Sequence, residues 1–405
     1  MTVMLPRRSL VPLLIAVLGL VVPAPLKADA CPFCSMQGQT LTGEVNQASM
    51  VLFGTLENAK QGANFDDGTT DLKIESIIKK HEILGDKKTL TLSRYIPVDK
   101  DNKYKFLIFC DVFKGKVDPY RGLPVAADSD MAKYLKGAME LKDVKDVGQR
   151  LRFFFDYLDN ADVELSNDSY KEFGNADYKD YHEMAKKLPA DKLAKWLQDP
   201  KTPAFRYGLY ASMLGHCGKT EHAKLLRELL DDPQKRVGSG MDGVLAGYVM
   251  LQPKEGWEFT TGLLKDVKKE FLLRYAALRA ARFLWEYRPD LIEKKDLVAG
   301  VSLLLDDAGM ADLAIEDLRK WGRTELTERI VELYSKPGYD IPIVRRSIMR
   351  FALSNTSQAK AGSFVTEQRK KDPQMIADIE ELLKLESATP AVVKPEVKGG
   401  AVIQK

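Results

Sequence analysis

Apolar positions fall into three successive patterns along the chain. The first is a run over residues 10–22 that contains Pro12 and Gly19, follows Arg7 and Arg8, and precedes Ala28-Asp29-Ala30. A basic start, an apolar middle and an A-x-A site form the layout of a secretory signal peptide. Residues 1–30 are therefore expected to be removed on export, to the periplasm or outside the cell. The alternatives are a single N-terminal anchor, for which the apolar run is short, and a lipoprotein, because Cys31 follows the site directly. The second pattern, over residues 31–125, has the period of two of β-strands. A short helix-like segment at residues 41–48 precedes a strand candidate at 50–56. Leu72-Lys73-Ile74-Glu75 alternates after an Asp66-Asp67-Gly68 turn, and Thr89-Leu90-Thr91-Leu92 alternates after Gly85-Asp86. Residues 104–112 are almost continuously apolar, which predicts a central strand. Four or five such strands suit a small barrel.

From residue 126 the spacing becomes helical. Residues 126–188 read as a helical connector, with helices over 131–141, 147–158 and 178–188. The stretch 156–183 is rich in Asp and Glu but has no calcium-loop spacing, so it reads as a solvated face or loop. Tyr157, Tyr170, Phe173, Tyr178 and Tyr181 are expected to pack locally there. Residues 189–386 contain an internal repeat. Apolar helices rich in Ala or Gly begin at Arg206, Asp242, Arg274, Asp312 and Arg346, in steps of 36, 32, 38 and 34. A period near 35 made of helix pairs predicts a solenoid, because a single pair cannot bury its own apolar face. Trp196, Trp257, Trp285 and Trp321 lie near repeat ends and read as packing residues. Residues 387–405 lack periodicity and aromatics and read as a disordered tail.

Composition narrows the picture further. The chain has 405 residues, 45% hydrophobic and 29% charged, with 61 Lys+Arg against 58 Asp+Glu for a net charge of +3. These values exclude a mostly disordered chain, a collagen-like fibre and a multi-span membrane protein. Residues 1–30 carry Arg7, Arg8 and Lys27 against Asp29, so the remaining 375 residues carry only +1. A nearly neutral chain makes no global electrostatic case for nucleic acid or an anionic membrane. After signal cleavage no membrane span is expected.

Cys31, Cys34, Cys110 and Cys217 all lie beyond the signal segment, where export lets disulfides persist. Cys31-Pro32-Phe33-Cys34 has three readings. As a redox site it resembles the C-P-F-C of glutaredoxin-like proteins, with Cys31 attacking and Cys34 resolving, although no strand precedes it. As a metal site it lacks a second ligand pair among His81, His182, His216 and His222. As a structural element it staples the new N-terminus to the sheet, with Cys110 the natural partner, and connectivity stays open. The structural reading is preferred. Cys31, Cys34 and Cys110 are the disulfide candidates, and Cys217 reads as a buried thiol.

Three resemblances follow from these residues. The N-terminal cysteines, the A-S-x-V-L-F-G-x-L strand over 48–56, the L-K-I-E-S-I-I-K segment over 72–79 and the Y-K-F-L-I-F-C strand over 104–110 resemble the OB-fold of netrin-module and tissue-inhibitor-of-metalloproteinase-like domains. In those inhibitors the N-terminal Cys chelates a protease zinc. Cys31 takes the corresponding place, but the spacing here is C-x-x-C where theirs is C-x-C. The repeat, with Arg at helix starts and small residues within, resembles HEAT-like repeats. The whole layout resembles secreted bacterial proteins that begin C-P-F-C and end in helical repeats, a likeness that implies no activity.

No G-x-S-x-G, H-E-x-x-H, P-loop or dinucleotide fingerprint occurs. His182-Glu183 reads as a solvated pair. His216 and His222 are six residues apart and are not expected to share a metal. Adjacency alone does not pair Cys217 with His216, since neighbours on a helix diverge by about 100°. Asp231/Asp232 and Asp306/Asp307 read as turn acids. No residue is assigned a catalytic or metal role, and no cofactor is expected. The sequence predicts a multi-domain β + α protein, an OB-like barrel followed by a HEAT-like α-solenoid. Its predicted function is that of an exported, non-enzymatic scaffold binding a protein or peptide through the repeat surface. The alternatives are thiol–disulfide chemistry at Cys31/Cys34, and inhibition or metal binding through Cys31.

Overall fold

The computed structural model of the chain describes residues 31–388, apart from 64–66, 99–100, 102 and 236–237. The signal segment, Asp66 of the expected turn and the tail from residue 389 lie outside the described residues. Five strands form one antiparallel sheet: β1 (Met50–Gln61), β2 (Gly68–Lys79), β3 (Thr89–Leu92), β4 (Tyr104–Phe113) and β5 (Lys116–Ala126), in the order β3-β2-β1-β4-β5. β1 lies between β2 and β4, with Met50 opposite Cys110 and Phe53 opposite Leu107. Both faces of this centre are covered. Val51, Phe53, Ile78, Leu107, Phe109 and Val125 join the core shared with the helices. Met50, Leu52, Leu56, Leu72, Leu92, Ile108 and Cys110 form a second core with Leu84. Burial on both sides explains the unbroken apolar run in β4. β5 is not legible as a strand because Pro119, Gly122 and Pro124 interrupt it. It stands at the sheet edge, where a missing N–H is tolerated. The β4–β5 turn holds Lys114 and Gly115 at φ 49° and 71°, the positive values that a tight hairpin requires.

The helices are α1 (Leu41–Gln47), α2 (Met131–Glu140), α3 (Val147–Phe155), α4 (Val163–Gly174), α5 (Tyr178–Ala185), α6 (Ala190–Gln198), α7 (Tyr207–Cys217), α8 (Thr220–Asp231), α9 (Met241–Leu251), α10 (Pro253–Lys265) and α11 (Phe271–Tyr287). After them come α12 (Lys294–Ser302), α13 (Ala311–Lys320), α14 (Thr327–Leu333), α15 (Pro342–Ser354), α16 (Ala359–Lys371) and α17 (Pro373–Ala388). The five repeat starts fall at or within a few residues of the starts of α7, α9, α11, α13 and α15. Helix α17 extends past residue 387, where the tail was expected to begin. The acidic stretch contains a helix, α4, whose N-terminus is capped by the Asp162 carboxylate accepting from the Glu164 N–H at 3.0 Å. Its Tyr170 and Phe173 are buried. So is Asp168, which accepts from the Leu41 N–H at 2.6 Å and the Tyr134 hydroxyl at 2.8 Å and thereby ties α1 and α2 to α4.

Helices α7 and α9 are apolar all round and lie at the centre, as their burial requires. They touch backbone to backbone. A Cβ at Gly243 would lie 2.3 Å from the Gly208 carbonyl oxygen, and one at Gly247 would lie 2.4 Å from that of Ala211. The small residues of the repeat are therefore contact points. Arg206 and Arg274, at equivalent repeat starts, are both buried and both donate to carbonyls of a preceding segment, Leu158 and Leu264. Arg274 also pairs with Asp307. Farther on, Arg282 forks onto Asp317 at 2.8 and 2.9 Å, and the Trp285 and Trp321 rings stack at 4.2 Å, which joins α11 to α13 and the residue following it.

This packing sets opposite outcomes for two glycines. Gly243→Ala is expected to cost about 2–3 kcal/mol by forcing the α7 and α9 backbones apart. Gly262→Ala in α10, where a Cβ meets nothing within 4 Å, is expected to stabilise by roughly 0.5–1 kcal/mol. Denaturant midpoints measure both, and similar shifts for the two would contradict the backbone contact.

Candidate functional site

The chain from Cys31 to Thr40 forms a strap across the helices. Cys31 is bonded to Cys34, and the Cys34 N–H closes the turn on the Cys31 carbonyl at 3.3 Å. Inside this turn Phe33 is buried with its ring 4.6 Å from that of Phe283 on α11. Arg279 donates to the Pro32 carbonyl at 3.0 Å and pairs with buried Asp242 of α9 at 2.9 Å. The Ser35 N–H donates to the Tyr170 hydroxyl at 3.3 Å, while Gly38 and the Asn175 amide exchange bonds at 3.0 and 2.8 Å.

Cys110 does not join this strap. It is a buried free thiol, in place of the bridge partner expected from sequence. The reason is the strand's alternation. Cys110 points into the second core, whereas Cys31 lies in the core on the sheet's other face. Burial first, then Asp118 and Asp111, pushes the Cys110 thiol up to about 12. Cys217 is a half-buried thiol turned onto the Met213 carbonyl at 3.4 Å and raised by burial to about 11. Neither thiol is activated, and Cys217 is turned away from its neighbour His216. Cys31 is buried and Cys34 half-buried, and the turn they close is not the opening of a helix, since α1 begins only at Leu41. The helix N-terminus that activates the first thiol of redox C-x-x-C sites is therefore missing behind Cys31.

On the far side of Phe283 lies a cleft of about 840 Å³, walled by α5 and by the ends of α7, α9 and α11. Tyr178, at the first turn of α5, is its centre. The Tyr178 ring packs 5.0 Å from Phe283 and 4.8 Å from Tyr287, and His182 stacks on it at 5.4 Å. Its hydroxyl shares a hydrogen bond of 2.9 Å with His216 Nε2. Burial, then Arg288, drives His216 down to about 3, so this imidazole is neutral across the physiological range. Burial also raises the Tyr178 hydroxyl. Arg288 is held by Asp290 through two bonds of 2.9 and 2.8 Å. Met250 and Leu251 supply an apolar wall, and Lys179, Lys186 and Lys219 stand around the mouth.

The close polar contact in the cleft is that of the Tyr178 hydroxyl with the neutral His216 imidazole. Among the described residues no group of His, Cys, Asp or Glu is placed to hold a metal ion. His222 is used at the start of α8, where its Nδ1 accepts from the Lys219 N–H at 2.9 Å. His182, expected to be solvated, is half-buried, and its ring lies 6.2 Å from His216. The i, i+3, i+4 set Tyr178, Tyr181 and His182 marks an aromatic face of α5 in the sequence. Nothing local links that face to His216, 38 residues on. The chain matches no family model, and neither curated proteins nor solved structures provide a match.

Two groups give opposite pH dependences. Glu172, half-buried on α4 beside the strap residue Thr40, is raised by burial from 4.5 to about 7. The folded chain thus holds this proton more tightly, and its contribution is full below pH 4.5 and lost as pH rises through 7. His216 falls from 6.5 to about 3, so its contribution is full above 6.5 and lost as pH drops towards 3. Glu172→Gln is expected to gain unfolding midpoint relative to the parent between about pH 5 and about pH 8. His216→Gln should gain relative to the parent as pH falls below about 6. Difference curves with no slope would refute both assignments.

Proposed function

We propose that this chain is an exported, non-enzymatic interaction protein whose helical array receives a segment of a protein or peptide partner. The observation that carries the reading is the cleft around Tyr178, with its apolar wall, its neutral hydrogen-bonding imidazole and its lysines at the mouth. An extended segment carrying carboxylates suits that combination, with side chains laid against Met250, Leu251 and Tyr287 and acidic groups turned towards Lys186 and Lys219. The finer architecture belongs to the same reading. The order β3-β2-β1-β4-β5 is that of an OB-like barrel opened between β3 and β5. The consecutive contacts of α7 with α9, α9 with α11 and α13 with α15 support a HEAT-like stacking of helix pairs. Burial and bonding of Cys31 to Cys34 favour a structural clamp over a reagent.

The test is affinity capture from the native envelope followed by titration of the captured polypeptide. Lys186→Glu combined with Lys219→Glu is expected to weaken its binding by ~10-fold or more. Lys370→Glu, on α16 and away from the cleft, should leave it unchanged. Equal affinity across all three proteins would remove the cleft from the interaction.

A further inference from the structure

A second surface stands apart from the cleft. Where α10 turns into α11, Val267, Phe271 and Leu272 are 64%, 53% and 58% exposed. Large apolar side chains that are more than half exposed and clustered mark an interaction surface. They fall within six residues and share the turn with Lys265, Lys268 and Lys269. The turn is fixed by its own hydrogen bonds. The Asp266 carboxylate accepts from the Lys268 N–H at 3.0 Å, the Asp266 carbonyl from the Lys269 N–H at 3.1 Å, and the Glu270 carbonyl from the Leu273 N–H at 3.1 Å. Phe271 is stacked on Tyr275 at 5.9 Å with the rings within 5° of parallel, which holds it in place. Lys265 and Lys268 are exposed, whereas Lys269, Asp266 and Glu270 are half-exposed and the Glu270 carboxylate has a buried oxygen.

We propose that this turn is a docking wedge for an anionic lipid surface. Three projecting apolar side chains beside outward ammonium groups match the two layers of a bilayer interface. The acyl boundary takes up the apolar groups, and the negative headgroups above it meet the lysines. Exposed lysines beside exposed apolar side chains suit this surface better than a second protein, which would need both an apolar socket and acidic partners in register. The near-neutral charge of the whole chain does not oppose it, since the attraction is local and falls off within about 8 Å in physiological salt. The proposal is independent of the cleft. Among the described residues no helix is long and apolar enough to cross a membrane.

The experiment is co-sedimentation of the exported protein, purified from its native host, with vesicles of phosphatidylcholine containing one quarter phosphatidylglycerol and with vesicles of phosphatidylcholine alone. Binding is expected to the anionic vesicles, to weaken on raising the salt, and to be slight on the neutral ones. The triple variant Val267→Ser, Phe271→Ser, Leu272→Ser should lose ~10-fold or more of the partitioning. The double variant Lys265→Glu, Lys268→Glu should lose binding to the anionic vesicles alone. All five positions are exposed, and an unchanged thermal melt confirms that each variant is folded. Failure of the parent to sediment with anionic vesicles, or parent-like sedimentation of the triple variant, overturns the proposal. So does loss, in the triple variant, of a protein partner while vesicle binding persists.

Discussion

The structure depends on how closely α7 and α9 approach. Gly208 faces Gly243 along this contact and Gly215 meets Gly247, so the two backbones touch where any side chain would hold them apart. Each end of the contact carries one of the features described above. At the Gly208 end the strap crosses, and a Cβ there would lie 2.9 Å from the Phe33 carbonyl oxygen. The Gly215 end borders the cleft, which Gly215 and Gly218 line beside Met250. Phe283 lies between, touching Phe33 on one side and Tyr178 on the other. Strap and cleft are thus two outcomes of one helix contact, connected through a single ring.

Among the described residues, the buried charges Asp168, Arg206, Asp242 and Arg274 each have at least one polar or ionic partner. Arg206 donates to the Leu158 carbonyl, the Asn167 amide oxygen at 2.9 Å and the Tyr210 hydroxyl at 3.3 Å. Asp168 and Asp242 each gain donors or a counter-ion, though burial still raises both carboxyls. Such groups add little net stability, because their desolvation offsets much of the attraction, but removing one partner leaves a costly orphan. What they contribute is register, since each links segments far apart in sequence. Asp168 joins α4 to α1 and α2, and Arg279 joins α11 to both α9 and the strap.

Much of the element order is legible in the sequence because it is local. Period-two alternation marks β2 and β3, and the recurring Ala- and Gly-rich helices mark α7, α9, α11, α13 and α15. The unread parts have physical reasons. β5 carries prolines that only an edge position tolerates. α4 is acidic enough to look like a loop until Asp162 caps it and Tyr170 and Phe173 are buried. The facing of Cys110 needs the strand's register, which no single segment encodes. The cleft is the least legible of all. Tyr178 and His182 share one helix face, but His216 and Arg288 arrive from other helices through tertiary packing alone.

The strap has a consequence for the order in which the molecule can be assembled. Synthesis begins at the N-terminus, yet Pro32 is held by a residue 247 positions later, and Phe33 waits for Phe283. This early segment is among the last to find its place. Until α11 exists, Phe33 has nothing to bury against and is free to join unsuitable apolar neighbours. The pairing of Cys31 with Cys34, three residues apart, needs no distant element and can be made at once. It holds the turn in its final curvature while the rest of the chain is still missing. The Cys31–Cys34 cross-link thus prepares the contact of Phe33 with Phe283, 250 residues on.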